Sequence, residues 1–291
     1  MRKEVRESQS YRERRYTAQD GLSLYYRDYG DTLSQRRPVL CLGGLARNSK
    51  DFHGFAERLA GVRRVVCPDY RGRGRSDYDS DWRNYRPEVY ANDLFHLMAA
   101  ANLRGVIVCG ISMGGLLAMG LSVLAPAQIA AVILNDVGPE VSDAGIDRIR
   151  AYVGRDHPQP DLPAAIAEVK RLFPNLGPTD EAGWRRFAEA TFRDGEDGLL
   201  HVDWDISLAK ALAHDQHDLW TYYRALGSRP VLAFRGALSD VLSDETFARM
   251  AEVKPDLIRV TVPGVGHVPL LEHPRVEQAI DDFLARIDGQ T

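Results

Sequence analysis

The sequence predicts an α/β fold: a doubly wound, mostly parallel sheet with a helical cap inserted into it. Three observations carry that reading. Short apolar, β-rich runs alternate with helix-compatible segments through residues 1–138. One junction, Val106 to Gly115, reads Val-Ile-Val-Cys-Gly-Ile-Ser-Met-Gly-Gly, a buried strand turning through a glycine-bracketed serine into a helix. The rhythm then stops near Pro139 and resumes at Pro230, which marks residues 139–227 as an insertion between core segments 1–138 and 228–291.

Each element follows from local pattern. Arg14 to Ala18 and Leu22 to Tyr29 read as strands joined by an Asp20-Gly21 turn. Pro38 to Leu42 is a buried strand running into Gly43-Gly44-Leu45, and Asp51 to Ala60 has helical spacing in Phe52, Phe55 and Leu59. Arg64 to Cys67 is the next strand, and Pro87 to Leu103 a helix that delivers the chain to the Val106 strand. Leu116 to Ala125 is helical until Pro126, and Ile129 to Leu134 is a strand ending at Asn135-Asp136-Val137-Gly138-Pro139. From Pro139 to Gly227 no strand of comparable quality follows. Helical patches at Ala164–Phe173, Glu181–Phe192 and Leu208–Ala213 stand there with Trp184, Trp204 and Trp220. Pro230 to Phe234 and Leu257 to Val262 restore the sheet, and Val276 to Ile287 closes the chain as a helix.

Composition narrows the function classes. The 291 residues are 44% hydrophobic and 27% charged, ordinary for a globular chain. A net charge of −4 offers no global attraction to nucleic acid or an anionic membrane surface. No apolar run approaches a membrane span. Met1 to Arg15 is charged and lacks the apolar core of a secretory signal, so a cytoplasmic location is expected. Cys41, Cys67 and Cys109 each lie in an apolar run without C-x-x-C spacing, which reads as three reduced core thiols and no metal site.

The chemistry centres on Ser112. Gly110 and Gly114 bracket it, and only small neighbours let strand and helix approach closely enough for so sharp a turn. The turn lifts the hydroxyl clear of the sheet and aims the Met113 amide at the place where an oxyanion forms. Two further groups lie beyond strand ends, where ligands gather in open α/β sheets. Asp240 follows the Val231 to Phe234 strand, and His267 follows the last strand in Pro263-Gly264-Val265-Gly266-His267. The order Ser112, Asp240, His267 favours Asp240 as the acid. Asp136, which also ends a strand, is the rival. Asp69 reads as structural, pairing Arg71 or bracing its loop.

These residues resemble those of the α/β-hydrolase superfamily over nearly the whole chain from Arg14. Asp69-Tyr70-Arg71-Gly72-Arg73-Gly74-Arg75-Ser76 is similar to that family's D-x-R-G-x-G-x-S loop. Gly266-His267, with Pro269, Glu272 and Pro274, resembles its histidine loop. Many relatives carry His-Gly after the third strand, whereas this chain has Gly43-Gly44. The resemblance places the second oxyanion amide at Leu45. It implies that neutral His267 takes the proton of Ser112 as Oγ attacks an acyl carbonyl, while Asp240 orients the imidazole. No cofactor and no metal is called for.

The expected activity is hydrolysis of a small, partly hydrophobic ester or lactone through an acyl-enzyme. Cleavage of a carbon–carbon bond in ring-cleavage products is the alternative within the same machinery. A ligand receptor with slow turnover is the alternative outside it. Ser112 argues against dehalogenases and epoxide hydrolases of this fold, which use an aspartate. The expected partner is a small molecule, and the sequence does not set an oligomeric state. The three tryptophans either line the site or hold the cap to the core. Arg47 either meets a substrate carboxylate or is structural.

Overall fold

The computed structural model describes residues 10–173, 175, 180–212, 218–267 and 271–289. Most of the charged start, Ala213 at the end of one expected helical patch, and Pro269 of the histidine loop lie outside the described residues.

Eight strands form one sheet. They are β1 (Tyr11–Thr17), β2 (Ser23–Tyr29), β3 (Val39–Leu42), β4 (Val65–Pro68), β5 (Val106–Ile111), β6 (Ile129–Asn135), β9 (Val231–Gly236) and β10 (Ile258–Val262). Their order is β1-β2-β4-β3-β5-β6-β9-β10. The hairpin β1–β2 is antiparallel and joins β4 antiparallel, and from β4 to β10 every pairing is parallel. The strand β5 is buried along all six residues because β3 and β6 flank it and helices cover both faces.

Two apolar clusters separate the faces. On one side α1 (His53–Ala60) and α10 (Pro274–Asp288) cover the sheet. In α10 the buried Val276, Ile280, Phe283, Leu284 and Ile287 recur at helical spacing on one stripe. Full burial of each such side chain is worth about 1.5–3 kcal/mol relative to exposure. Cys41, Cys67 and Cys109 lie here on adjacent strands, all buried as free thiols. On the other side lie α2 (Pro87–Ala100), α3 (Met113–Leu124) and α9 (Asp244–Val253). Helix α9 has no counterpart among the expected elements, and its start is set by Ser243 accepting from the Thr246 amide.

Between β6 and β9 the chain leaves the sheet. It forms α4 (Asp143–Val153), α5 (Leu162–Leu172), α6 (Glu181–Thr191), the hairpin β7 (Phe192–Asp194) and β8 (Leu200–Val202), α7 (Leu208–Ala211) and α8 (Leu219–Arg224). Ser142, Asp161 and Asp180 accept from the amides of Gly145, Ala164 and Gly183 and so start α4, α5 and α6. Helix α4 and the short hairpin carried no clear sequence signal. Helix α8 packs on α3, and its Tyr223 hydroxyl donates to the Met250 carbonyl of α9 at 2.9 Å.

Candidate active site

The turn between β5 and α3 is tight enough that two of its glycines are steric necessities. A Cβ on Gly114 would lie 2.0 Å from the Leu42 carbonyl oxygen, and one on Gly110 would lie 2.4 Å from that of Gly114. Ser112 itself takes φ 51° and ψ −119°, a conformation that costs an L-residue about 1–3 kcal/mol. That strain carries its hydroxyl out of the sheet toward His267. Ser112 Oγ lies 3.1 Å from His267 Nε2.

The other imidazole nitrogen faces Asp136. His267 Nδ1 lies 2.6 Å from Asp136 Oδ2. Asp136 directly follows β6 at φ 54° and is fully buried. Its Oδ1 accepts from the Gly236 amide at 2.7 Å, and its Oδ2 also accepts from the Ser239 hydroxyl at 2.6 Å. Strands β6 and β9 are neighbours, so the end of β9 supplies donors to the carboxylate that ends β6.

Asp240 is therefore corrected as the partner of His267. It sits past β9 on a loop, its side chain 46% exposed, and grips Arg148 of α4 at 2.6 and 3.0 Å. Burial works against its charge, but the Arg148 guanidinium outweighs it and holds the carboxyl below its ordinary range. Chain order, which favours Asp240, cannot separate the two, because Asp136 and Asp240 both lie between Ser112 and His267 and follow adjacent strands.

The Gly43-Gly44-Leu45 turn lies against Ser112, since a Cβ on Gly44 would meet the Ser112 Cβ at 3.7 Å. Met113 opens α3, where a backbone N–H has no acceptor within the helix. Leu45 and Ser112 both line a cavity of about 550 Å³. Its aromatic walls are Tyr152, Phe173 and Phe187, side chains that the sequence reading did not single out. None of the tryptophans lines it. Trp204 is buried and donates to the Val153 carbonyl at 2.9 Å, and Trp220 donates to Glu140 at 2.6 Å. Trp184 packs edge-on against Phe187. Spacing alone did not distinguish rings that face a cavity from rings that brace it.

The charged residues of the cavity differ in how they are spent. Arg47 forms a two-pronged ion pair with Asp51, donates to Thr191 Oγ1 at 2.7 Å and stacks over Phe187. It joins the loop after β3 to α6, which is the structural one of its two readings. Lys50 binds Asp203 at 2.8 Å. Arg186 lines the cavity and has no hydrogen bond or ion pair within 4.0 Å among the described residues. Glu272 lines the cavity with an exposed side chain, and desolvation pushes its carboxyl above the ordinary value against the pull of Arg186. Among the described residues no group of three or more His, Cys, Asp or Glu is placed to hold a metal ion.

The Asp69 to Ser76 loop is braced from within. Asp69 accepts from the Ser49 and Arg75 amides at 2.6 and 2.9 Å, while Arg71 pairs with Asp20, Asp79 and Asp93 and not with Asp69. Gly74, at φ 55°, brings the backbone so close to Asp69 that a Cβ would lie 2.3 Å from its carboxylate.

A model of the alpha/beta hydrolase family matches residues 39–279, which include the Ser112 elbow, Asp136 and His267. The chain belongs to that family. This hydrolase is 35% identical over 262 residues to the 3-hydroxybutyrate-oligomer hydrolase of Cupriavidus necator, covering 86% of the chain and 89% of the relative. It is 27% identical to the 2-(acetamidomethylene)succinate hydrolase of Mesorhizobium japonicum over 84% of the chain and 87% of that protein. A crystal structure of an alpha/beta hydrolase from Novosphingobium aromaticivorans superposes with a TM-score of 0.91 at 41% identity, covering 96% of this chain and 99% of that one. No helix among the described residues is long and apolar enough to cross a membrane.

Proposed function

We propose that this hydrolase is a serine esterase that cleaves a small, partly hydrophobic ester through an acyl-enzyme, with short linear hydroxyacid oligoesters as its substrate class. The observation that carries the reading is the continuous line from Ser112 Oγ to His267 Nε2 and from His267 Nδ1 to Asp136 Oδ2. Likeness to a 3-hydroxybutyrate-oligomer hydrolase along most of both chains supports the oligoester choice. A lactone of the same acids is the cyclic form of that substrate.

In this reading Ser112 is too weak an acid to ionise alone, so neutral His267 takes its proton as Oγ attacks the acyl carbonyl. Asp136 holds the Nδ1–H tautomer and stabilises the imidazolium that forms. Its burial and its donors from Gly236 and Ser239 keep it pointed at one nitrogen. The amides of Leu45 and Met113 receive the negative charge on the carbonyl oxygen, and removing one such donor typically costs about 3 kcal/mol. His267 then protonates the leaving alcohol and activates the water that releases the acid. Residues 139–227 act as the cap: Tyr152, Phe173 and Phe187 give the acyl chain an apolar wall.

The test is labelling with a fluorophosphonate on wild type and Ser112→Ala, with hydrolysis of p-nitrophenyl butyrate and of the linear 3-hydroxybutyrate dimer and trimer followed in parallel. Labelling and turnover that vanish in Ser112→Ala support the esterase. Ester turnover without oligomer turnover removes the substrate class alone. Turnover of a ring-cleavage dienone in preference to every ester favours carbon–carbon cleavage. Labelling without repeated turnover favours a receptor, and labelling unchanged in Ser112→Ala overturns the nucleophile.

A further inference from the structure

Arg73 is fully buried, an expensive place for a guanidinium. Among the described residues no carboxylate pairs with it. Its acceptors are neutral: the Leu45 carbonyl at Nε, with the Arg71 carbonyl at 2.8 Å and the Tyr90 hydroxyl at 3.0 Å from Nη1. Nη2 is buried with no hydrogen-bond partner. The rings of Tyr70, Tyr85 and Tyr90 surround the cation at 5.4, 6.0 and 4.8 Å from its centre. Neighbouring charges are engaged elsewhere, since Asp93 binds Arg71 and Asp205 accepts from the Tyr85 hydroxyl.

What this side chain holds is the turn beside Ser112. Between Gly43 and Arg47 the described backbone receives two side-chain bonds, from Tyr70 to Gly43 O at 3.4 Å and from Arg73 to Leu45 O. The turn otherwise closes on itself through Arg47 N to Gly44 O at 3.2 Å. The Tyr70 contact is long, so the bond from Arg73 is the firm one. It fixes the peptide plane that follows Leu45 and thereby limits the rotation of the Leu45 N–H on the other side of the same Cα. Arg73 is also held from above, because its backbone bridges to Trp204 and the Gly74 amide donates to the Asp203 carbonyl at 3.0 Å.

We infer that Arg73 is the positioning residue of the oxyanion hole, aiming the Leu45 amide through its bond to the Leu45 carbonyl. The inference rests on the serine-esterase reading. A planar, rigid guanidinium boxed by three rings suits this task, whereas a lysine keeps the charge but not the directed Nε–H. The pocket of tyrosines removes the rotational freedom that would make the bond loose.

The test uses Arg73→Met and Arg73→Lys, with Tyr90→Phe as a shape-conserving variant that only loosens the guanidinium. Each is checked for folding by thermal melting and assayed on p-nitrophenyl butyrate. Affinity is measured for a trifluoromethyl ketone, which forms a tetrahedral oxyanion on Ser112, and for the matching secondary alcohol, which does not. Loss of a whole donor lowers kcat by about 10²–10³-fold, so a mis-aimed one is expected to lower it by about 10- to 100-fold in Arg73→Met. KM should hold, and trifluoromethyl ketone affinity should fall in step with kcat/KM while alcohol affinity is kept. Arg73→Lys should recover only part of the loss, and Tyr90→Phe should show the same selective pattern more weakly. Equal losses for ketone and alcohol mean a general disturbance and overturn the inference, as does a folded Arg73→Met within two-fold of wild type. If Arg73→Met and Arg73→Lys do not fold, an unchanged ketone affinity in Tyr90→Phe overturns it. Wild type without Ser112-dependent turnover fails the esterase reading instead.

Discussion

His267 Nδ1 meets Asp136 Oδ2 at 2.6 Å across 131 positions of sequence, whereas Asp240, nearer to His267 in the chain, is held by Arg148. The contact is made where β6 and β9 lie side by side, and it gives each aspartate a different task. Asp136 is fully enclosed with two further donors, while Asp240 ties the loop after β9 to α4 at the wall of the cavity.

Asp136→Asn is expected to lower kcat on p-nitrophenyl butyrate by about 10³- to 10⁴-fold, because the amide favours the wrong imidazole tautomer. Asp240→Asn should stay within a few-fold of wild type, since it breaks a half-exposed ion pair worth about 0–1 kcal/mol. Steady-state kinetics of the two variants side by side decide it, and a reversed pattern would return the acid to Asp240.

Ser239 donates to Asp136 Oδ2 and accepts from the Val241 and Leu242 amides at 3.2 and 3.1 Å. Ser239→Ala leaves a buried carboxylate one donor short, which costs about 1–3 kcal/mol. Urea unfolding should show that loss, and kcat should fall several-fold with KM little changed. Wild-type stability in the variant would mean that water replaces the hydroxyl.

Gly114→Ala pushes a methyl into the Leu42 carbonyl at the foot of the elbow. The chain must shift there, with a loss of more than about 3 kcal/mol and of fluorophosphonate labelling. Gly120→Ala, on the same helix with open space around it, is the control and should be neutral or slightly stabilising.

Desolvation lifts the Glu272 carboxyl, and Glu277 and Asp51 add to the rise while Arg186 opposes it. Between the ordinary and the raised value the folded chain binds more protons than the unfolded one. The contribution is therefore complete below the ordinary carboxylate range and is lost as pH rises through the raised value. Glu272→Gln should melt above wild type at about pH 7 and lose that advantage near pH 4. A constant difference between the two melting curves across pH would show that ionisation is not the cause.

Arg186 lines the cavity with no hydrogen bond or ion pair to a described residue, and its charge is felt by Glu272. A linear oligoester of a hydroxyacid ends in a carboxylate, and under the proposed function Arg186, which lines the same cavity as Ser112, is proposed to meet it. Arg186→Ala should raise KM for the 3-hydroxybutyrate dimer by about ten-fold, one charge-assisted hydrogen bond, and leave neutral p-nitrophenyl esters unchanged. Equal KM changes for both substrates would remove this role.

The sequence by itself determined the alternation of strands and helices, the break after β6, the glycine-tight turn at Ser112 and the place of His267 beyond the last strand. These are local facts: apolar runs, glycine where no Cβ fits, and a histidine at a strand end. Short or weakly patterned pieces, such as β7, β8 and α4, were not legible because their apolar content is too small to stand out from their surroundings. The tertiary structure decided which aspartate touches His267, which rings face the cavity and which cations are already spent. Asp136 and Asp240 carry the same local signal, a carboxylate after a buried strand. They differ only in what packs around them, and that depends on β6 and β9 becoming neighbours and on where α4 places Arg148.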